Sequence, residues 1–275
     1  MALRINTNVA SVNAQVDLHR HTRRLVRTLG RISSGLRINS SSDDPVGQAM
    51  ANNFDADIRS YTMATRNTND GLSIIQTSEG AANEVSELLK RMRELALASS
   101  SATMDADERA LAHTDAQEMF AEITRIAKNT KYNDMKLTDG TMTNMDVQVG
   151  IDGDANSRIN IKLGDLSNSA LSMTSVNTDI STTTNASAAV TTIDNALKTV
   201  NKYRSQFGSS QNRLTSALQG LQSYTSSVTI AKGNIQDADF AYETAQMTKL
   251  QIMQQSSLSI LAQANSLGGS ALALL

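Results

Sequence analysis

The chain has 275 residues, a formal net charge of −2 and only 3% aromatic residues, with no Cys, no Trp and a single Pro. That charge excludes a globally basic nucleic-acid binder, and the lack of Cys removes disulfide frameworks and thiolate metal sites. So few large side chains beside so much Ala, Leu, Ser, Thr, Asn and Gln favour long helices closed by small and aliphatic residues over a compact globular core.

Between Ile5 and Leu36 the apolar residues recur at Ile5, Val9, Val12 and Val16, then at Leu18, Leu25, Leu29, Ile32 and Leu36. This is the pattern of an amphipathic helix with one phase shift. Arg20, Arg24, Arg27 and Arg31 make a basic ridge at helical spacing, with Asp17 as the only acid nearby. Such a ridge serves either as a patch for nucleic acid or anionic lipid or as a solvated or subunit-facing helix side. The absence of interleaved stacking aromatics favours the second. Met1 to Val12 shows no apolar signal region, which by itself points to the cytoplasm.

Gly35 stops this helix and a serine tract follows. Asp44 before Pro45 is a strong start signal, an acceptor for the first turn and a Pro where its missing N–H costs nothing. A three-four rhythm then runs through Phe54, Ile58, Thr68, Ile75, Ala82, Val85, Leu89, Met92 and Ala96. Continuous helix from Pro45 to Ala98 is about 80 Å long. Ser99 to Ser101 interrupt it, and Thr103 is positioned to cap a shorter helix with an acidic first turn.

From Lys131 to Asp165 the period drops to two: Val147 and Val149 alternate before a tip at Asp152 to Asn156, and Ile159, Ile161 and Leu163 alternate after it. Residues 167–189 are rich in Ser, Thr, Asn and Asp and read as a surface loop. Helical rhythm returns in heptads from Val190 through Ile193, Leu197, Val200, Phe207, Leu214 and Leu221 to Ile235. Asp237 and Asp239 then open a terminal helix.

The stretch from Leu250 to Leu275 contains no Asp, Glu, Lys or Arg. Leu250, Met253, Ser257, Ile260, Leu261, Ala264, Leu267 and Ala271 fall on one broad face, and Gln251, Gln255, Ser259 and Ser266 fall opposite. A membrane span is excluded by the amides and hydroxyls, which are expensive in hydrocarbon. The segment reads instead as a helix covered by protein on one face. The expected architecture is mainly α: a long antiparallel helical rod with terminal coiled-coil helices and a small β-hairpin region near the middle of the chain. Its expected segments are 1–43, 44–166, 167–189, 190–234 and 235–275.

Catalytic and metal-binding patterns are missing. His19 and His21 are two apart on a helix and do not face each other, and His113 stands alone. Asp152, Asp154 and Asn156 imitate the opening of a calcium loop, but Ser157 replaces the required Gly and Leu163 the bidentate Glu. No phosphate loop or nucleophile elbow occurs. The sequence points to a protein that is not an enzyme and needs no cofactor or metal.

Several stretches in order carry a specific resemblance: SSGLRINSSSDDP (33–45), TRNTNDGLSIIQTSEGA (65–81), KRMREL (90–95), KYNDMKL (131–137), IQDADFAYE (235–243) and ILAQANSL (260–267). Together they resemble bacterial flagellin over nearly the whole chain except 167–189. The resemblance implies a flagellin, the structural subunit that polymerises into the helical filament of the bacterial flagellum for swimming motility. It also implies that the two terminal helices form the innermost coiled-coil layer around a central channel. Subunits are then exported unfolded through the flagellar type III pathway with a flagellin-specific export chaperone, and add beneath a cap protein beyond the hook-junction proteins. That makes the address secreted and extracellular instead of cytoplasmic. Large outer variable domains are reduced here to the 167–189 loop.

By the same resemblance, Gln251, Gln255, Ser259 and Ser266 line the channel while Leu250, Met253, Ile260, Leu261 and Leu267 take part in polymerisation. Arg91, Leu95 and Asp115 match positions through which a Toll-like receptor binds flagellins of animal-associated bacteria, and they equally serve rod packing between subunits. Two rival readings are a hook-filament junction protein, which shares the terminal helices, and a membrane-active secreted helical protein. The partners implied include neither nucleic acid nor an inserted membrane.

Overall fold

Among the described residues five long helices carry most of the chain, each where the apolar periodicity places one. The computed structural model describes residues 7–272, with side chains to Ser266. Ile5 and the side chains of Leu267 and Ala271 lie outside the described residues. In order the helices are α1 (Val9–Ser34), α2 (Pro45–Ser99), α3 (Ala106–Asn129), α4 (Thr183–Gln236) and α5 (Phe240–Leu272). Between α3 and α4 stand two small antiparallel pairs, β1 (Lys131–Tyr132) with β2 (Met135–Lys136) and β3 (Asn144–Gln148) with β4 (Arg158–Lys162). The chain divides into two compact units, Met1–Ile58 with Ser226–Leu275 and Arg59–Thr225.

Local chemistry sets the boundaries. Asn8 caps α1 by accepting from Ser11 N–H at 3.1 Å, and Gly35 ends it in the left-handed region at φ 72°. Asp44 Oδ1 accepts from Gly47 N–H at 3.0 Å at the start of α2, as the Asp-Pro signal implies. Helix α3 differs from expectation: Asp105, not Thr103, caps it, in a reciprocal capping box with Glu108. Thr103 is engaged instead with Ser101 Oγ at 2.7 Å. Helix α4 begins at Thr183, inside the stretch expected to be loop, because Ala186 and Ala189 already extend the buried stripe of Ile193, Ala196 and Val200.

The 59–225 unit has the principal core. Ile75, Ala82, Val85, Leu89, Met92 and Ala96 of α2 pack with Ile123 and Ala127 of α3 and with Ile193, Val200, Phe207 and Leu214 of α4. The last four belong to the seven-residue repeat of the heptad reading. Within this unit α2 and α4 run antiparallel, since Tyr61 stacks on Tyr224 at 6.0 Å while Arg93 donates to Asp194 at 2.6 Å. Val147 and Ile161, on adjacent strands, close the same core from the hairpin side. The β1–β2 pair was not resolved by the period-two pattern. Its two-residue turn, Asn133 and Asp134, has both φ values positive (47° and 62°), the arrangement Asn and Asp tolerate best.

The Ser/Thr/Asn-rich stretch is more tied down than its composition implies. Leu166, Leu171, Met173 and Ile180 are buried, and Asn168 Nδ2 donates to Phe120 O at 3.1 Å and Thr124 Oγ1 at 2.6 Å on α3. Ile180 N–H donates to His113 Nδ1 at 3.3 Å, so this ring anchors the segment. Hydrogen bonds from Ser181 hold the Asp179 carboxyl below its usual range, and the Arg93 guanidinium does the same for Asp194. Native values below the unfolded value of about 3.9 mean that both groups stabilise the fold above that pH and lose the contribution as pH falls through the lower native values. The urea midpoint of the full chain, followed by circular dichroism, is expected to stay level from about pH 7 to pH 4 and to fall below it. Asp179→Asn and Asp194→Asn together should flatten the fall; an unchanged acid profile in that variant contradicts the assignment.

Candidate functional site

With no catalytic pattern to place, the site to build is a surface, and the terminal helix pair supplies it. Helices α1 and α5 lie antiparallel, because Ser11 donates to Asn265 Oδ1 at 2.9 Å, Gln254 to Thr22 Oγ1 at 3.4 Å and Arg31 to Glu243 Oε1 at 3.1 Å. The seam on α5 is a strict heptad row: Glu243, Leu250, Ser257 and Ala264 are buried at intervals of seven, with Gln254 and Leu261 half-buried between them. Facing it on α1 are Ser11, Ala14 and Thr28, buried, with Leu18, Leu25 and Ile32 half-buried. Of the seven fully buried seam positions five, Ser11, Ala14, Thr28, Ser257 and Ala264, carry small or hydroxyl side chains, while the larger Leu18, Leu25, Ile32 and Leu261 stay half-buried.

This geometry revises the broad apolar face expected for α5. Leu250, Ser257, Leu261 and Ala264 turn to α1, whereas Met253 and Ile260 are exposed, and Gln254 takes a place in the seam. Reading hydrophobicity alone missed this, because the seam selects size and the spacing of seven. On α1 the phase shift marks two faces instead of one bent stripe. Val9, Val12 and Val16 are half or more exposed on a row that α5 does not cover. That row continues at helical steps through Arg20, Arg23 and Arg27, all exposed. It is apolar in its first half and basic in its second.

Large apolar groups stay in water on both helices. Val26 and Leu29 on α1, and Phe240, Tyr242, Ile252, Leu258 and Ile260 on α5, are each at least two-fifths exposed. Such density on one pair of helices marks an interaction surface. Gln251, Gln255, Ser259 and Ser266 are exposed too; Ser259 and Ser266 donate to the helix's own carbonyls at Gln255 and Gln263. Among the described residues no helix is long and apolar enough to cross a membrane.

The two helices are locked where they meet the rest of their unit. Arg37 N–H donates to Gln236 O at 2.7 Å and Ala238 N–H to Gly35 O at 2.9 Å, and Leu36 bridges Asp237. Arg31 lies between Glu243 at 3.1 Å and Asp43 at 4.0 Å, and both acids are nearly buried. Arg27 approaches Asp43 at 3.8 Å. Part of the arginine ridge thus has internal partners. Neither Glu243 nor Asp43 was singled out by sequence reasoning; the seven-residue spacing of Glu243, Leu250, Ser257 and Ala264 was the available signal.

Arg91, Leu95 and Asp115 belong to the other unit. Arg91 is exposed and paired with Glu94 at 2.9 Å, Leu95 packs partly against the core, and Asp115 is exposed on α3.

Two family models cover most of the chain: the bacterial flagellin N-terminal helical region matches residues 5–143 and the C-terminal helical region matches 190–275. The chain belongs to the bacterial flagellin family. The unmatched middle contains the Ser/Thr/Asn-rich segment. A curated flagellin of Halalkalibacterium halodurans is 37% identical over 261 residues, covering 95% of both chains. The crystal structure of Bacillus cereus flagellin matches with 28% identity and a TM-score of 0.50, over 57% of this chain and 88% of that one. A Vibrio parahaemolyticus protein described as flagellar hook-associated shares the fold, at 16% identity and a TM-score of 0.61 over 71% of this chain and all of that one. As a flagellin, the protein is a structural subunit that self-polymerises into the filament of the bacterial flagellum, and it is not an enzyme.

Proposed function

We propose that the α1/α5 pair is the polymerisation surface of this flagellin. The observation that carries the reading is the set of large apolar side chains that the pair leaves in water, Val9, Val12 and Val16 on α1 and Ile252, Met253, Leu258 and Ile260 on α5. Neighbouring copies cover these faces by a repeated heterologous contact, which generates a helix instead of a closed ring. Leu250 and Leu261 contribute by holding α5 to α1. The neutral stripe of Gln251, Gln255, Ser259 and Ser266 lines the central channel. Residues 1–43 and 235–275 supply the inner coiled coil, 44–166 and 190–234 the surrounding layer, and 167–189 the shortened variable segment.

The finer partners follow from the same reading. Subunits leave the cell through the flagellar export pathway with a chaperone and add under a cap beyond the hook-junction proteins, so the working form is extracellular. Arg91, Leu95 and Asp115 serve contacts between subunits and, in a host, contact with a Toll-like receptor. Deleting Leu250–Leu275 is expected to leave the 59–225 unit folded, with its cooperative melt retained, and to abolish filaments in sedimentation and electron microscopy. Normal filaments from the truncated chain overturn the assignment.

A further inference from the structure

The arginines of α1 are only partly matched by acids of their own unit. Helix α1 carries five arginines against Asp17, and α5 adds only Glu243 and Lys249 among charged residues. The chain as a whole is at −2, so the acidic excess lies outside this pair. Arg31 and Arg27 face Asp43 and Glu243, and Arg20 meets Asp17 at 3.2 Å. Arg23 and Arg24 are exposed beyond these pairs. Copies that pack their α1 helices side by side set these rows within about one Debye length of each other, roughly 8–10 Å, where like charges repel unless acids intervene.

The same unit offers such acids at the corner between α4 and α5. Thr229, Ile230, Gly233, Asn234, Asp237 and Asp239 surround an open notch of about 580 Å³. Ile230 is 61% exposed and supplies an apolar wall, and Asp237 is exposed at the mouth. An acidic notch with an apolar wall suits an arginine, whose methylene stem packs while its guanidinium binds carboxylate. Within one chain the two cannot meet. Helix α1 continues for about 15 Å from Arg24 to its end at Ser34, and Asp237 lies beyond that end, bridged to Leu36. Only a second copy, shifted along the helix axis, can bring them together.

We propose that Arg24, flanked by Arg20 and Arg23, docks in the Asp237 notch of a neighbouring copy and sets the axial stagger between subunits. The proposal rests on polymerisation through the terminal pair. Its test is elongation by purified full-length protein, Arg24→Glu or Asp237→Arg singly on wild-type filament seeds and the double variant on seeds it has nucleated itself. Like charges set opposite each other at an interface suppress association, so each single reversal is expected to slow elongation at least about tenfold with unchanged helix content. In homotypic assembly the double reversal should return to within about threefold of wild type. Single variants that elongate normally, or a double no faster than the slower single, overturn the proposal. Wild-type protein in the same assay separates the two readings: if wild type assembles and rescue is absent, only the stagger contact fails.

Discussion

Glu243→Ala is expected to release α5 from α1 at the junction end and to destabilise the terminal pair by about 3 kcal/mol, the lower part of the range for breaking a buried ion pair. The side chain of Glu243 is 5% exposed and that of Arg31 26%, so the alanine variant strands a guanidinium that water reaches only in part. Arg31 also holds Asp43, so the loss extends to the linker before α2. Thermal melts of the full chain followed by circular dichroism should show an early transition in the alanine variant. Glu243→Gln keeps the shape and one hydrogen-bond acceptor and is expected to lose about half as much. Identical melts for wild type and Glu243→Ala would show that the pair carries no stability.

The second large effect concerns the neutral stripe of α5. Gln251→Glu with Gln255→Glu places two carboxylates one turn apart on a face that carries no charge from Leu250 to the end of the chain. Both side chains are exposed, so the fold of the monomer should change by no more than about 0.5 kcal/mol. With these glutamines on the proposed channel wall, the helical array repeats the new charges around a narrow bore where local potentials add, and filament length in cells is expected to fall about tenfold or more. Filaments of normal length growing at the normal rate would remove these glutamines from the channel wall.

Periodicity made the helices legible. Pro45 to Ala98 reads as one helix because no residue in it breaks the rhythm strongly, and α2 runs to Ser99. The repeat from Ile193 to Leu221 names the buried face of α4 because large apolar residues sit at each seventh position. Where boundaries depend on competition between similar polar side chains, the pattern is weak. Thr103 and Asp105 both suit a cap, and the carboxylate at the head of a capping box prevails. The terminal pair was the hardest part to read, since most of its fully buried seam positions are Ser, Thr and Ala, which look like surface. Its exposed apolar residues look like a core until a partner helix is placed beside them.

That seam of small residues has an energetic consequence. Ser11, Ala14, Ser257 and Ala264 remove little carbon surface from water, at about 25 cal/mol per Å², whereas Phe207 and Ile123 sit fully buried in the 59–225 core. Local opening therefore begins in the α1/α5 pair, whose amide protons exchange through fluctuations far smaller than global unfolding. A lone subunit keeps this helix pair easy to open. By the proposed assembly, neighbours that cover Val9, Val12, Ile252 and Ile260 make the same pair costly to open, so the polymer protects by contact what the single chain leaves loose.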